Sequence, residues 1–106
     1  MSIASKTTTR RYTEQVIEVQ DADVTWRCLV DFDARRTREE SGWYVDIGLN
    51  RLMVLSGKFE VEKYQHDISI NTDGLTALNR MLKSNYPEAI EAACLKIADQ
   101  NEGDEQ

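Results

Sequence analysis

The clearest pattern in the chain is an alternation of apolar and mostly polar residues that begins at Val24. The apolar positions of this run are Val24, Trp26, Cys28, Val30 and Phe32. A period of two predicts a β-strand with one buried face. A second run repeats the pattern with Trp43, Val45, Ile47 and Leu49. Two such runs joined by a polar segment predict a hairpin at the centre of the core, with both tryptophans buried.

Weaker signals predict further strands on either side of this hairpin. Residues 11–20 favour extended structure but alternate imperfectly, which is typical of an edge strand or of a bulge. A turn at residues 21–23 would join them to the hairpin. We also expect a loop over residues 34–42 and turns at residues 50–51 and 56–58. The parity of apolar residues switches near Lys63, where we expect a bulge or a break.

After Asn71 the apolar period becomes helical. Thr72 is the predicted N-cap of a first helix, and Asp73 suits its positive end. Residues 84–86 interrupt the pattern, and Pro87 is well placed at the first position of a second helix. The apolar positions of the two helices are Leu75, Leu78, Met81 and Leu82, followed by Ile90, Ala93, Cys94 and Ile97.

Together these elements predict an α+β fold. We expect an antiparallel four- or five-stranded meander followed by two C-terminal helices packed on one face. The single domain would span residues 11–100, between a flexible tail at residues 1–10 and an acidic frayed tail at residues 101–106. The predicted core is Trp26, Val30, Phe32, Trp43, Val45, Ile47, Leu78, Leu82, Ile90 and Ile97.

Composition narrows the classes of function. The chain has 106 residues and a net charge of −6, which disfavours non-specific binding to nucleic acid or to anionic membranes. It has no apolar run of the roughly 18 residues that span a bilayer, and no apolar N-terminal signal segment. Cys28 and Cys94 are expected to be buried free thiols. We therefore expect a cytoplasmic protein.

The sequence contains little that indicates catalysis. The single histidine, His66, lies on a polar stretch and is expected at the surface, and no cofactor motif is present. One enzymatic hypothesis is a metal-dependent phosphodiester hydrolase that holds Mg²⁺ or Mn²⁺ between Asp31, Asp33 and Asp46 on the outward sheet face. Outward strand positions are charged by default, which makes this the least favoured interpretation. We expect no catalytic residue, no metal site and no cofactor.

The leading hypothesis is a small, acidic, non-enzymatic protein-binding module. It would act as an accessory or inhibitor protein, of the type that phages and mobile elements carry, and would dock a protein partner or a second copy of itself. The alternative is single-stranded nucleic-acid binding, because strands followed by a helix are similar in topology to some folds that bind single strands on an open sheet. The candidate contact residues on the outward face and the arginine loop are Arg27, Leu29, Asp31, Tyr44, Asp46, Arg35, Arg36 and Arg38.

Overall fold

Four antiparallel strands in sequential order form one sheet, and two helices follow them. The structure, a computed structural model, describes residues 6–103, with the side chains of residues 6–101. The elements are β1 (Lys6–Asp21), β2 (Val24–Glu39), β3 (Gly42–Val61), β4 (Tyr64–Ile68), α1 (Thr72–Asn85) and α2 (Pro87–Gly103). The strand order is β1-β2-β3-β4. The predicted α+β meander with two C-terminal helices is confirmed.

One apolar cluster joins a single face of the sheet to both helices. Trp26, Cys28, Val30 and Phe32 are buried in it, as the alternation predicts. The helices contribute Leu82, Ile90, Cys94 and Ala98 to the same cluster. Both helices therefore pack on this face, which we call the helix-side face, and leave the opposite face, which we call the outer face, without a covering element among the described residues. None of the helices in the described part of the chain is both long and apolar enough to span a bilayer.

The helix boundaries follow local capping chemistry. The N-cap of α1 is Asn71 rather than the predicted Thr72, because the Asn71 side chain accepts a hydrogen bond from the Asp73 backbone N–H at 3.0 Å. Pro87 opens α2, as predicted. Helix α2 continues through Gly103, so the backbone of residues 101–103, expected in a frayed tail, is helical.

The ends of the chain fall partly outside the described residues. Strand β1 begins at Lys6, so residues 6–10, expected in a flexible tail, are paired with β2. Residues 1–5 and 104–106, which complete the two predicted tails, lie outside the described residues. The folded sheet therefore begins earlier in the chain than the apolar pattern indicates.

Three of the expected loops and turns are continuous strand. Residues 34–39 belong to β2, and only Glu40 and Ser41 form the turn before β3. The turns expected at residues 50–51 and 56–58 are also wrong, because β3 runs unbroken from Gly42 to Val61. In their place the β2–β3 register shifts twice, with Asn50 and Leu55 as the extra residues. The breaks in alternation came from bulges, which change parity without ending a strand.

Two of the sheet's bulges lie on either side of one residue, Asp31. In β1 the register shifts between Tyr12 and Gln15, and in β3 it shifts at Asn50, beside the residues paired with Asp31 and Phe32. Glu14 in the β1 bulge has a left-handed φ of 54°, which is costly for a residue with a Cβ. The Asp31 carboxylate accepts the Glu14 backbone N–H at 2.7 Å, and this hydrogen bond helps to hold the bulge in place.

Ion pairs also connect the strands next to these two bulges. The second Asp31 oxygen lies 3.1 Å from Arg51 Nε on β3. Its neighbour on the outer face, Asp33, accepts from Arg11 Nε at 2.9 Å and from Arg11 Nη2 at 3.3 Å. The hydrogen bond from Arg11, followed by one from the bulged Asn50, lowers the pKa of Asp33. Carboxylates of β2 thus connect the central strand to both neighbours where those strands are irregular.

The sheet extends well beyond its helical cover. The principal extents of the molecule are 60 × 29 × 22 Å. The helices reach Ile47 and Leu49, which line a small cleft with Lys83, Pro87 and Ile90. Past this cleft, β1, β2 and β3 extend beyond the helices. We call this end of the sheet, residues 6–12 and 33–48, the β arm. The base of the arm still packs against the core at Tyr12, Ala34, Val45 and Ile47.

Gly57 is required by close packing rather than by a turn. A Cβ placed on Gly57 would lie 2.4 Å from the ring of Trp26, whereas a Cβ on Gly48 in the same strand would meet nothing within 4 Å. Gly57→Ala should lower the free energy of unfolding by about 1–3 kcal/mol through overpacking. Gly48→Ala, the matched control, should change it by less than about 0.5 kcal/mol. Urea denaturation of both variants measures this, and equal effects would contradict the packing argument.

Asp33 should make stability depend on pH. Its folded pKa is depressed, so its contribution is present above the unfolded pKa of about 3.9 and is lost as pH falls through the folded value. Asp33→Asn should therefore be less stable than the wild type at neutral pH, with a difference that shrinks as the solution is acidified. Thermal melting across pH measures it, with Asp99→Asn as the control for net charge. A difference that persisted in strong acid would contradict the assignment.

Candidate functional site

The eight predicted contact residues do not form one surface. Arg27, Leu29 and Asp31 lie on the outer face of the body of the sheet, and Tyr44, Asp46 and Arg35 lie on the outer face of the β arm. Arg36 and Arg38 have the opposite strand parity and lie on the helix-side face of the arm. The expected arginine loop is wrong, because all three arginines are strand residues. Residues 35–39 are polar on both faces and yet form strand, so the lack of an apolar period there did not indicate a loop.

The outer face balances its charges across the strands. Acidic and basic residues stand directly opposite one another in adjacent strands, an arrangement that stabilises a sheet. The pairs are Glu18–Arg27, Arg11–Asp33, Asp31–Arg51, Arg35–Asp46 and Lys58–Asp67. The carboxylates of the metal hypothesis belong to this set, and each stands opposite a basic residue. Nowhere among the described residues do three His, Cys, Asp or Glu side chains form a group that could hold a metal ion.

The helix-side face of the arm is different, because its charged residues are all basic. Lys6, Arg10, Arg36 and Arg38 share this strand parity. Lys6 and Arg38 stand directly opposite each other in the register, and like charges at such positions destabilise a sheet. The acidic residues of the arm lie at outer-face positions or in the turn. We call this surface, the four basic residues with Trp43, the basic face.

Trp43 lies among these basic residues and not in the core. It has the predicted parity, but it is 46% exposed, so the prediction that both tryptophans are buried is wrong for Trp43. The reason is its place along the strand: it pairs with Arg38 near the end of the hairpin, beyond the reach of the helices. An exposed tryptophan on a cationic surface is a typical element of a recognition site.

Aromatic rings hold the arginines of the basic face. The guanidinium carbon of Arg36 lies 4.6 Å from the centroid of the Trp43 ring, and that of Arg38 lies at 5.8 Å. Arg10 lies 5.2 Å from the ring of Tyr12, which itself stacks on Phe32 with centroids 4.9 Å apart. Cation–π contacts of this kind orient the planar guanidinium groups. The basic face is therefore partly preorganised for carboxylate or phosphate groups.

Charge is also divided along the molecule. The arm, residues 6–12 and 33–48, contains six basic and four acidic residues, a net charge of +2. The rest of the sequence contains seven basic and fifteen acidic residues, a net charge of −8. The overall charge of −6 is therefore the sum of a basic arm and a strongly acidic body. The repulsion of polyanions expected from the total charge applies to the body and not to the arm.

The two cysteines and the single histidine lie away from the arm. Cys28 and Cys94 are buried and free, as expected. Burial raises the pKa of each thiol to about 11, so both stay protonated and unreactive near neutral pH. His66 is exposed on β4, as expected, and its ring lies 5.0 Å from that of Phe59.

Sequence reasoning missed Lys6, Arg10 and Trp43 as parts of one site. The sequence held no periodic signal here, because residues 6–11 are all polar. A segment without an apolar face does not distinguish a strand from a tail. Pairing with β2 is what makes residues 6–10 a strand.

Comparisons with other proteins do not assign a function. No family model, no curated protein and no solved structure matches this chain.

Proposed function

We propose that the protein is a non-enzymatic module that docks a protein partner through the basic face of the β arm. The observation that carries this proposal is the grouping of four basic residues with Trp43 on a strand face that has no acidic residue. The same sheet pairs opposite charges on its outer face, so the imbalance is confined to one surface. A partner with an acidic surface patch would be complementary to this basic surface.

The chemistry of the contact supports a protein ligand. Tryptophan and arginine are the residues most often found at the energetic centres of protein interfaces. Each guanidinium group offers a planar fork that fits a carboxylate. Trp43 is 46% exposed, so a large part of its ring is available for burial by a partner. The outer face of the arm adds Tyr44, which is 48% exposed, so a partner that encloses the hairpin end would bury both aromatic rings.

The charge of the body favours a compact acidic patch over a long polyanion. A single strand of nucleic acid that continued past the arm would meet a body with a net charge of −8 and be repelled. An acidic protein patch needs to meet only the arm. In addition, the Arg36 guanidinium covers the Trp43 ring, which reduces the area on which a base could stack.

Single-stranded nucleic acid is the second candidate ligand. The observation that favours it is an exposed aromatic ring among cations on an open sheet, the combination that single-strand-binding surfaces use. It would use the same Arg36, Arg38 and Trp43. Nuclease treatment separates the two candidate ligands, because it removes nucleic acid and leaves a protein partner bound.

We propose no catalytic role for the arm. It contains no histidine or cysteine, and histidine is the side chain that most often serves as the base beside a nucleophile. Two buried free thiols are consistent with a reducing compartment, and we propose that the protein works in the cytoplasm.

The first test is capture of the tagged protein from its own cells after nuclease treatment. The wild type should retain a stoichiometric protein partner, and an Arg36→Glu/Arg38→Glu variant should lose it. An Arg80→Glu/Lys83→Glu variant reverses two exposed charges on α1 and is the matched control, which should retain the partner. Loss of all bound material on nuclease treatment would support nucleic acid instead. If the Arg36→Glu/Arg38→Glu variant still retained the partner, neither a protein nor a nucleic acid would bind through the basic face.

Trp43 allows a direct binding measurement. In a Trp26→Phe variant the only indole is that of Trp43, so its fluorescence should respond when an acidic peptide such as poly-Glu, or oligo-dT, occupies the basic face. Trp43→Ala should weaken binding by about 2 kcal/mol or more, roughly 30-fold, if Trp43 is a central contact. Equal affinity of Trp43→Ala and wild type, measured by anisotropy of the labelled ligand, would contradict that role.

A further inference from the structure

We infer that the outer face of the sheet body is the interface between two copies of this chain. The geometry that points to it is a row of apolar residues across three strands, on the face that no helix covers. Val16 pairs with Leu29, and Leu29 pairs with Met53. Leu55 lies at the adjacent bulge. This inference concerns a different surface from the basic face and does not depend on the proposed function.

The row is apolar surface that the chain itself buries only in part. Val16 and Leu55 are each 44% exposed, and Leu29 and Met53 are half-buried. None of the four residues belongs to the core cluster or to the partly buried residues packed against it.

The charges around the row suit a second copy better than an unrelated surface. Leu29 has Arg27 two residues before it and Asp31 two residues after it, on the same face. If two copies stack with their β2 strands antiparallel and Leu29 at the centre, Arg27 of each copy lies opposite Asp31 of the other. A two-fold contact requires this kind of self-complementarity, in which one patch meets itself.

The remaining charges on this face make it suitable for burial. Asp31 is already paired with Arg51, and Asp33 with Arg11, within the same chain. Charges that enter an interface in pairs avoid the large cost of an unpaired buried charge. The neighbouring positions Thr25 and Ser56 are uncharged. An apolar centre with a paired polar rim is the usual anatomy of a protein interface.

The test is the mass of the full chain in solution, measured by sedimentation over a range of concentrations. The wild type should form a dimer that dissociates on dilution. Leu29→Arg would place an unpaired charge at the centre of the contact and should raise the dimer dissociation constant by about 100-fold or more. Arg27→Glu should weaken the dimer less. Tyr64→Arg changes a residue that is 73% exposed at the β4 turn and should leave the dimer intact.

Two further variants keep the outcome decisive. Val16→Lys alters the edge of the row, where a charged side chain remains partly exposed, and tests the interface if Leu29→Arg does not fold. Arg36→Glu/Arg38→Glu should leave the dimer mass unchanged, which separates this inference from the proposed function. A wild type that is monomeric at the highest concentration would overturn the inference. So would folded Leu29→Arg or Val16→Lys variants that dimerise as the wild type does.

Discussion

The Asp31 carboxylate is the contact on which the shape of the sheet depends. It accepts the backbone N–H of Glu14 on one side and pairs with Arg51 on the other. These are the places where β1 and β3 each hold an extra residue. On the opposite face, Phe32 stacks beneath Tyr12 in the core. The polar contacts of Asp31 on the outer face and the stacking of Tyr12 on Phe32 on the helix-side face therefore fix the strand register at the boundary between the body and the β arm.

This division explains why the two faces and the two ends have different chemistry. In the body, the helix-side face contributes to the core, and its strand positions are apolar. In the arm, the same parity packs against the core only at the base, and nearer the tip its positions hold Arg36, Arg38 and Trp43 instead. The outer face keeps opposite charges in register along both parts. A chain that balances charge so consistently on one face has placed the basic residues of the other face together despite their repulsion. Such a local conflict is characteristic of functional surfaces.

The apolar period of the sequence identified those elements in which one face packs in the core. The run from Val24 to Phe32 identified the central strand, because every second residue there meets the helices. The helices were found through their own apolar period, and Pro87 marked the start of the second. Periodicity failed for residues 34–39, where both faces are polar, and at Asn50 and Leu55, where bulges resemble turns. It assigned the correct face to Trp43 but not its exposure, since exposure depends on how far along the sheet the helices reach. The basic face was missed because it joins three separate segments through strand pairing.

The β arm also affects the solubility of the protein. Among the described residues, β1 forms one open edge of the arm and β3 forms the other, because β4 pairs only with Gly57–Val61. Open edges are templates on which further strands can add, and proteins usually protect them with charged side chains. Lys6, Arg10 and Arg11 lie along the β1 edge, so the residues that make the arm basic also discourage strand addition there. Replacing them with neutral residues would remove a safeguard against fibrous assembly. Lys6 and Arg10 also belong to the proposed binding surface, so solubility and the proposed binding would depend on the same two side chains.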